Sequence, residues 1–202
     1  MTRVALDSNV LIYAEVEPDS EKGKRAAGVI LGAARDGVIS AQVLGEFLRL
    51  VQRRLPTSFE GAVRQALLYQ AVFLTPPTTD AVINRACELA RAHRMQLWDC
   101  VVCAASVQAG AKVLLTEDMQ DGRSIDGLRL INPFAAANAK AIDNLLPGRM
   151  NGVDRPPACS MAQASLAPIR RQEIRYGGRS KPFGDKVKIS TPELVTPTVC
   201  SN

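Results

Sequence analysis

Along this chain, short unbroken apolar runs alternate with longer stretches in which apolar residues recur at helical spacing. Arg3-Val4-Ala5-Leu6 is the first run, a minimal buried strand that delivers Asp7 at its carboxyl end and continues into Ser8-Asn9-Val10-Leu11-Ile12-Tyr13. Residues 19–36 read as the first helix. Asp19 or Ser20 caps it, Ala26, Ala27, Val29, Ile30 and Ala33 face inward, and Gly37 stops it. Val38-Ile39-Ser40 is a short second strand. The helix predicted over 41–54 ends before Pro56. At 100° per residue its Val43, Leu44, Phe47, Leu48, Leu50 and Val51 share an arc of about 160°. Glu46 lies about 40° outside that arc, whereas Arg49 lies opposite its centre. Glu46 is thus a boundary residue within reach of the sheet edge. Residues 58–73 form a further amphipathic helix, Leu74-Thr75 a short strand or turn, and 80–93 a helix carrying Val82, Ile83, Ala86, Leu89 and Ala90.

The stretch over 97–122 carries the strongest pattern. Val101, Val102, Cys103, Ala104 and Ala105 run without a charge, so this helix is apolar on all faces and belongs in the interior. Asp99 stands just before the run, in an N-cap position. Gly110 ends the helix, residues 112–115 form a buried strand, and Thr116-Glu117-Asp118 follow, then Asp121 and Gly122. Helices surrounding short apolar strands predict a three-layer α/β/α sandwich with a parallel central sheet. In such sheets ligands bind outside the carboxyl ends of the strands, where Asp7 and Asp118 fall.

Length and charge refine this picture. The chain of 202 residues is long enough for one domain and an appendage. No apolar run is long enough for a membrane span, and the start leads directly into a strand without a signal peptide. The net charge of +5 is unevenly placed. Residues 1–147 hold 16 basic and 16 acidic side chains, and residues 148–202 hold 9 and 4. The division predicts a domain over 1–147 and a basic, Pro- and Gly-containing tail over 148–202 that is mostly disordered. Such a tail either adds nonspecific RNA affinity or is an extension without a role. Of the five cysteines, Cys87, Cys100 and Cys103 fall in predicted helices. The C-x-x-C they include has no second pair or His partner, so they read as core thiols in a reducing cytosol.

Asp7, Glu46, Asp99 and Asp118 are hard oxygen donors, and the set includes no soft ligand. Oxygen-only sites favour Mg²⁺ or Mn²⁺ over zinc. Two like charges 4 Å apart cost about 4 kcal/mol at an effective dielectric near 20, so convergent carboxylates call for a proton or a cation. A strand ending in Asp-Ser-Asn, Glu46 in an amphipathic helix, Asp99 opening an apolar helix and Thr-Glu-Asp after a strand occur here in that order. This set resembles the PIN-domain ribonucleases, most of all the toxin members of bacterial toxin–antitoxin pairs. It covers about residues 1–135, through Leu130-Ile131-Asn132-Pro133-Phe134.

The resemblance implies a metal-dependent endoribonuclease with Asp7 and Asp99 as central metal ligands and Asp118 completing the site. Glu46 would be a ligand or a water-mediated neighbour, Thr116 a hydrogen-bonding residue, and Asn9 a support for Asp7 or a substrate contact. It further implies an RNA substrate, a cognate antitoxin and a homodimer. Glu117 and Asp121 compete with Asp118 for the fourth acid. Trp98 reads as a packing anchor rather than a base-stacking platform, and His93 as a helix-end residue. Arg49, Arg53, Arg54, Arg91 and Arg94 are candidates for an RNA-facing groove. The alternative is a non-catalytic RNA- or partner-binding module on the same fold, which EDTA would leave unaffected.

Overall fold

A computed structural model describes residues 2–146; the expected tail over 148–202 lies outside the described residues. The order is β1 (Val4–Leu6), α1 (Ser8–Val16), α2 (Glu21–Ala33), α3 (Ala41–Arg54), α4 (Phe59–Val72), α5 (Asp80–His93), α6 (Leu97–Gln108), β2 (Val113–Leu115), β3 (Ser124–Ile125), β4 (Leu128–Ile131) and α7 (Ala139–Leu145). The sheet order is β1-β2-β4-β3. β1, β2 and β4 are mutually parallel, with Val4 opposite Val113 and Val113 opposite Arg129. Every residue of β1 and β2 is buried. Because successive side chains point to opposite faces, both faces of these strands are covered. Among the described residues no helix is long and apolar enough to cross a membrane.

The helices predicted over 41–54 and 80–93 have those bounds, and α2 is capped by Ser20, whose side chain accepts from the Gly23 N–H. Three features depart from the sequence reading. α1 precedes the helix expected to be first. Its Asn9, Val10, Leu11, Ile12, Tyr13 and Glu15 are all buried, so it lacks the polar face that makes helical periodicity visible. Val38 and Leu74 make single parallel bridges, Ala5 to Val38 and Val38 to Leu74, instead of strands. The sheet is mixed, since β3 pairs antiparallel with β4 around Asp126-Gly127, both with positive φ (51° and 77°). Asp-Gly is the sequence mark of a two-residue hairpin turn that suits such dihedrals.

The parallel strands bring three chain exits to one edge. β1 leads into Asp7, β2 into Thr116-Glu117-Asp118, and β4 into Asn132. Backbone bonds tie these exits together: Asp7 N–H to Leu115 O at 3.0 Å and Thr116 N–H to Ile131 O at 3.1 Å. α6 returns to the start of β2 through residues 109–112, so its first turn lies level with the carboxyl ends of the strands.

Candidate functional site

Asp7 occupies the centre of this edge and is buried, with 6% of its surface exposed. It is the N-cap of α1, and its Oδ1 accepts from the Ser8 N–H at 2.7 Å. Its Oδ2 accepts from Thr116 Oγ1 at 2.6 Å and from Asn9 Nδ2 at 3.2 Å. None of these donors is a cation. Burial therefore raises the carboxyl from its usual 3.8 to about 6, against the lowering by Thr116 and the Ser8 N–H, and the negative charges of Glu46 and Asp118 add to the rise.

Two residues that the sequence reading did not single out complete the frame. The Ser8 hydroxyl lies 3.0 Å from Glu46 Oε2 and 3.4 Å from Asp7 Oδ1. It has one proton to give, and the shorter contact favours Glu46, which leaves Asp7 Oδ1 with spare acceptor capacity. Gln42, one turn before Glu46, donates from Nε2 to Glu46 Oε1 at 3.0 Å. Glu46 is thus half-buried and anchored at both oxygens, not an ordinary solvated helix residue. The adjacent Ser in Asp-Ser-Asn and the i−4 position of Gln42 were the available sequence signals.

The three acids after β2 have separate situations. Glu117 is ion-paired with Lys22 of α2, whose ammonium lies 4.7 Å from the centre of the Tyr13 ring and 5.7 Å from that of Phe134. Asp121 accepts from the Asn132 N–H at 2.8 Å and from Asn138 Nδ2 at 3.0 Å, bonds that lower its carboxyl below the usual range. Asp118 is exposed, and its charge acts on Asp7. Lys22, absent from the sequence reading, is what engages Glu117.

Asp99 is not the N-cap of α6. Gln96 holds that position, without a side-chain cap bond, and Asp99 stands in the first turn. A carboxylate there gains about 0.3–1 kcal/mol from the helix dipole. One turn further, the Cys103 thiol is pushed up to about 12 by burial, then by Cys100 and by the charges of Asp7 and Asp99. Asp7 and Asp99 therefore bear on the same interior point. Cys100 and Cys103 are buried free thiols, whereas Cys87, on the outer side of α5, is exposed and is not a core thiol. His93 ends α5, and its carbonyl accepts from Arg123 Nη2 at 3.3 Å. Trp98 is no packing anchor: 53% of its surface is exposed.

Among the described residues, no three His, Cys, Asp or Glu side chains are grouped closely enough to share one ion. The acids stand around the sheet edge instead. Their chemistry nonetheless suits a hard divalent cation. The donors are all oxygen, Asp7 is buried without a cationic partner, and the buried Asn9 Oδ1 beside it lacks a hydrogen-bond partner.

Comparison with curated proteins finds no match. Solved structures share the fold at low identity. A toxin–antitoxin complex from Klebsiella pneumoniae is 18% identical with a TM-score of 0.50, covering 65% of this chain and 98% of that one. DNA-bound VapBC from Salmonella typhimurium is 17% identical with a TM-score of 0.50, covering 66% and 99%. VapBC-1 from nontypeable Haemophilus influenzae is 15% identical with a TM-score of 0.50, covering 66% and 100%. The family model described as the PIN domain matches residues 4–120, which takes in the Asp7 strand, Glu46, the Asp99 helix and Asp118, and by this match over more than half its length the chain belongs to the PIN domain family.

Proposed function

We propose that this chain is an endoribonuclease that hydrolyses RNA phosphodiester bonds with Mg²⁺ or Mn²⁺, and that it serves as the toxin of a toxin–antitoxin pair. The observation that carries the chemistry is Asp7: a buried carboxylate with no cation beside it among the described residues, repelled by Glu46 and Asp118. Family membership and the toxin–antitoxin complex with the same fold support the biological role. A cognate antitoxin, a homodimer and a cytoplasmic location belong to the same reading.

Asp7, Asp99 and Asp118 would hold the cation by drawing closer around it than they stand in this fold. When bound, it supplies an activated water and counter-charge for the attacked phosphate. Thr116 and Asn9 fix the rotamer of Asp7 by donating to Oδ2. Ser8 and Gln42 keep Glu46 facing the site, where it acts as a ligand or through a water. Lys22 holds Glu117 aside, which leaves Asp118 as the acid that completes the set.

Purified protein is expected to cut a structured RNA in Mn²⁺ and to stop in EDTA. Asp99→Asn tests the set directly. As a dipole residue only, Asp99 could be replaced with a loss of at most about 1 kcal/mol and unchanged cleavage. As a ligand, its replacement abolishes cleavage and shrinks the rise in melting temperature on adding Mn²⁺, which follows RT ln(1 + [L]/Kd). Cleavage that survives both EDTA and Asp99→Asn would refute the mechanism and favour a different nuclease chemistry.

We also propose that residues 1–147 suffice for folding and chemistry. A chain ending at Pro147 is expected to melt cooperatively and to keep its cleavage rate. Its RNA affinity should fall most at low salt, because the removed segment carries the whole net charge of +5. Failure of the shortened chain to fold would make 148–202 a structural element.

A further inference from the structure

We infer that Trp98 is a stacking platform for an unpaired RNA base, set beside the acids by the first turn of α6. The inference rests on the ribonuclease reading and names the part of the substrate that this corner receives. Leu97 and Trp98 are 41% and 53% exposed, side by side at the start of a helix whose following residues, from Cys100 to Ser106, are all buried. Together the two large side chains form a contiguous apolar patch on the turn that carries Asp99. The next residue is Asp99.

The surroundings define the occupant by charge. Arg91 and Arg94 are exposed and have no carboxylate at ion-pair distance among the described residues. Arg94 sits in the left-handed region (φ 52°) as the C-cap of α5, four positions before Trp98. A third guanidinium, Arg123, reaches the same corner through its bond to the His93 carbonyl at 3.3 Å. A group of acids repels a phosphate chain, so a strand brought to them needs positive charge and a neutral grip close by. Guanidinia for phosphates beside an indole face for a base is the composition that binds single strands with little sequence preference. A neutral apolar partner would gain from Leu97 and Trp98 but would leave the arginines without a counter-charge.

Trp98 is the chain's one tryptophan, so its emission reports on this corner alone. The full chain in EDTA is titrated with a short unpaired RNA carrying a terminal dye, with tryptophan emission and dye anisotropy read together. KM and kcat for cleavage are then measured in Mn²⁺. The expected result is quenching that tracks binding, no quenching by a duplex of the same sequence, and a KM for Trp98→Ala raised roughly 5- to 150-fold with kcat within a few-fold. Trp98→Phe should restore most of the loss. Trp98→Ala is not expected to disturb folding, which its melting curve would verify.

Cleavage with an unchanged KM in Trp98→Ala would overturn the stacking role and leave the nuclease reading intact. A chain that neither binds nor cuts RNA would overturn the nuclease reading, and this inference with it. Emission that shifts with protein concentration alone, together with a dimer in sedimentation, would assign the corner to a second copy of the chain and overturn the proposal as well.

Discussion

Asp7→Asn is expected to lower RNA cleavage by more than about 100-fold, since even the residues that merely support a metal ligand are worth 10–100-fold. The same change is expected to raise the melting temperature in EDTA at pH 8. The sign follows from linkage. The Asp7 carboxyl titrates near 6 in the folded chain and near 3.8 otherwise, so between those values the folded state binds more protons. The favourable contribution is therefore full below pH 3.8 and lost as pH rises through 6. A shift of this size is worth about 3 kcal/mol.

The amide recovers part of that amount. It keeps an oxygen for the Ser8 N–H but turns an N–H₂ towards Asn9 Nδ2. A flip of the Asn9 amide would resolve this clash by presenting Oδ1, which otherwise lacks a partner. The net gain is expected at about 1–2 kcal/mol once the loss of the charged acceptor of Thr116 is subtracted. Melting curves of both proteins in EDTA at pH 3.5 and pH 8 check this. A variant that melts below wild type at pH 8 while still cutting RNA would remove Asp7 from the centre of the site.

Glu15→Gln is expected to stabilise the protein at pH 8 by about 1–3 kcal/mol and to change little at pH 4.5. Glu15 is 2% exposed on α1, and the Tyr69 hydroxyl of α4 donates to its Oε1 at 2.5 Å, with no cation paired to it among the described residues. Burial raises its carboxyl from 4.5 to about 7, with the Tyr69 bond acting in the lowering direction. As with any acid whose folded value is raised, its favourable contribution is complete below pH 4.5 and lost as pH rises through 7. Glutamine mimics the protonated acid and keeps an oxygen for Tyr69. The difference in melting temperature between variant and wild type should therefore grow across pH 4.5–7, and a difference independent of pH would show that Glu15 is neutralised by other means.

The positions of the four proposed site acids were legible in local pattern, three of them at or near the ends of elements and Glu46 at the margin of an apolar helix face. An apolar run ends in Asp7, another ends before Thr116-Glu117-Asp118, and helical spacing puts Glu46 at the edge of an apolar arc. The helices over 41–54 and 80–93 were equally legible, since a helix half in water shows its period in its side chains. α1 was not, because a segment buried all round has no period to show. The β3–β4 hairpin carried a mark in Asp126-Gly127, but strands of two and four residues offer too few positions for an alternation to stand out.

Sequence by itself determined which side chains are available and in what order the elements present them. Only the tertiary structure decided which of them act together. The proposal of Asp118 over Glu117 and Asp121 rests on Lys22 and Asn138, residues from other elements that engage the other two acids. The bond from Thr116 to Asp7 exists because β1 and β2, more than a hundred positions apart, pair in parallel with Leu6 opposite Leu115. Burial decided the rest. The carboxyl that ends the first apolar run becomes, once the sheet edge is covered, one whose charge burial disfavours. Trp98, which composition would send inside, is left outside because the buried face of α6 begins at Cys100.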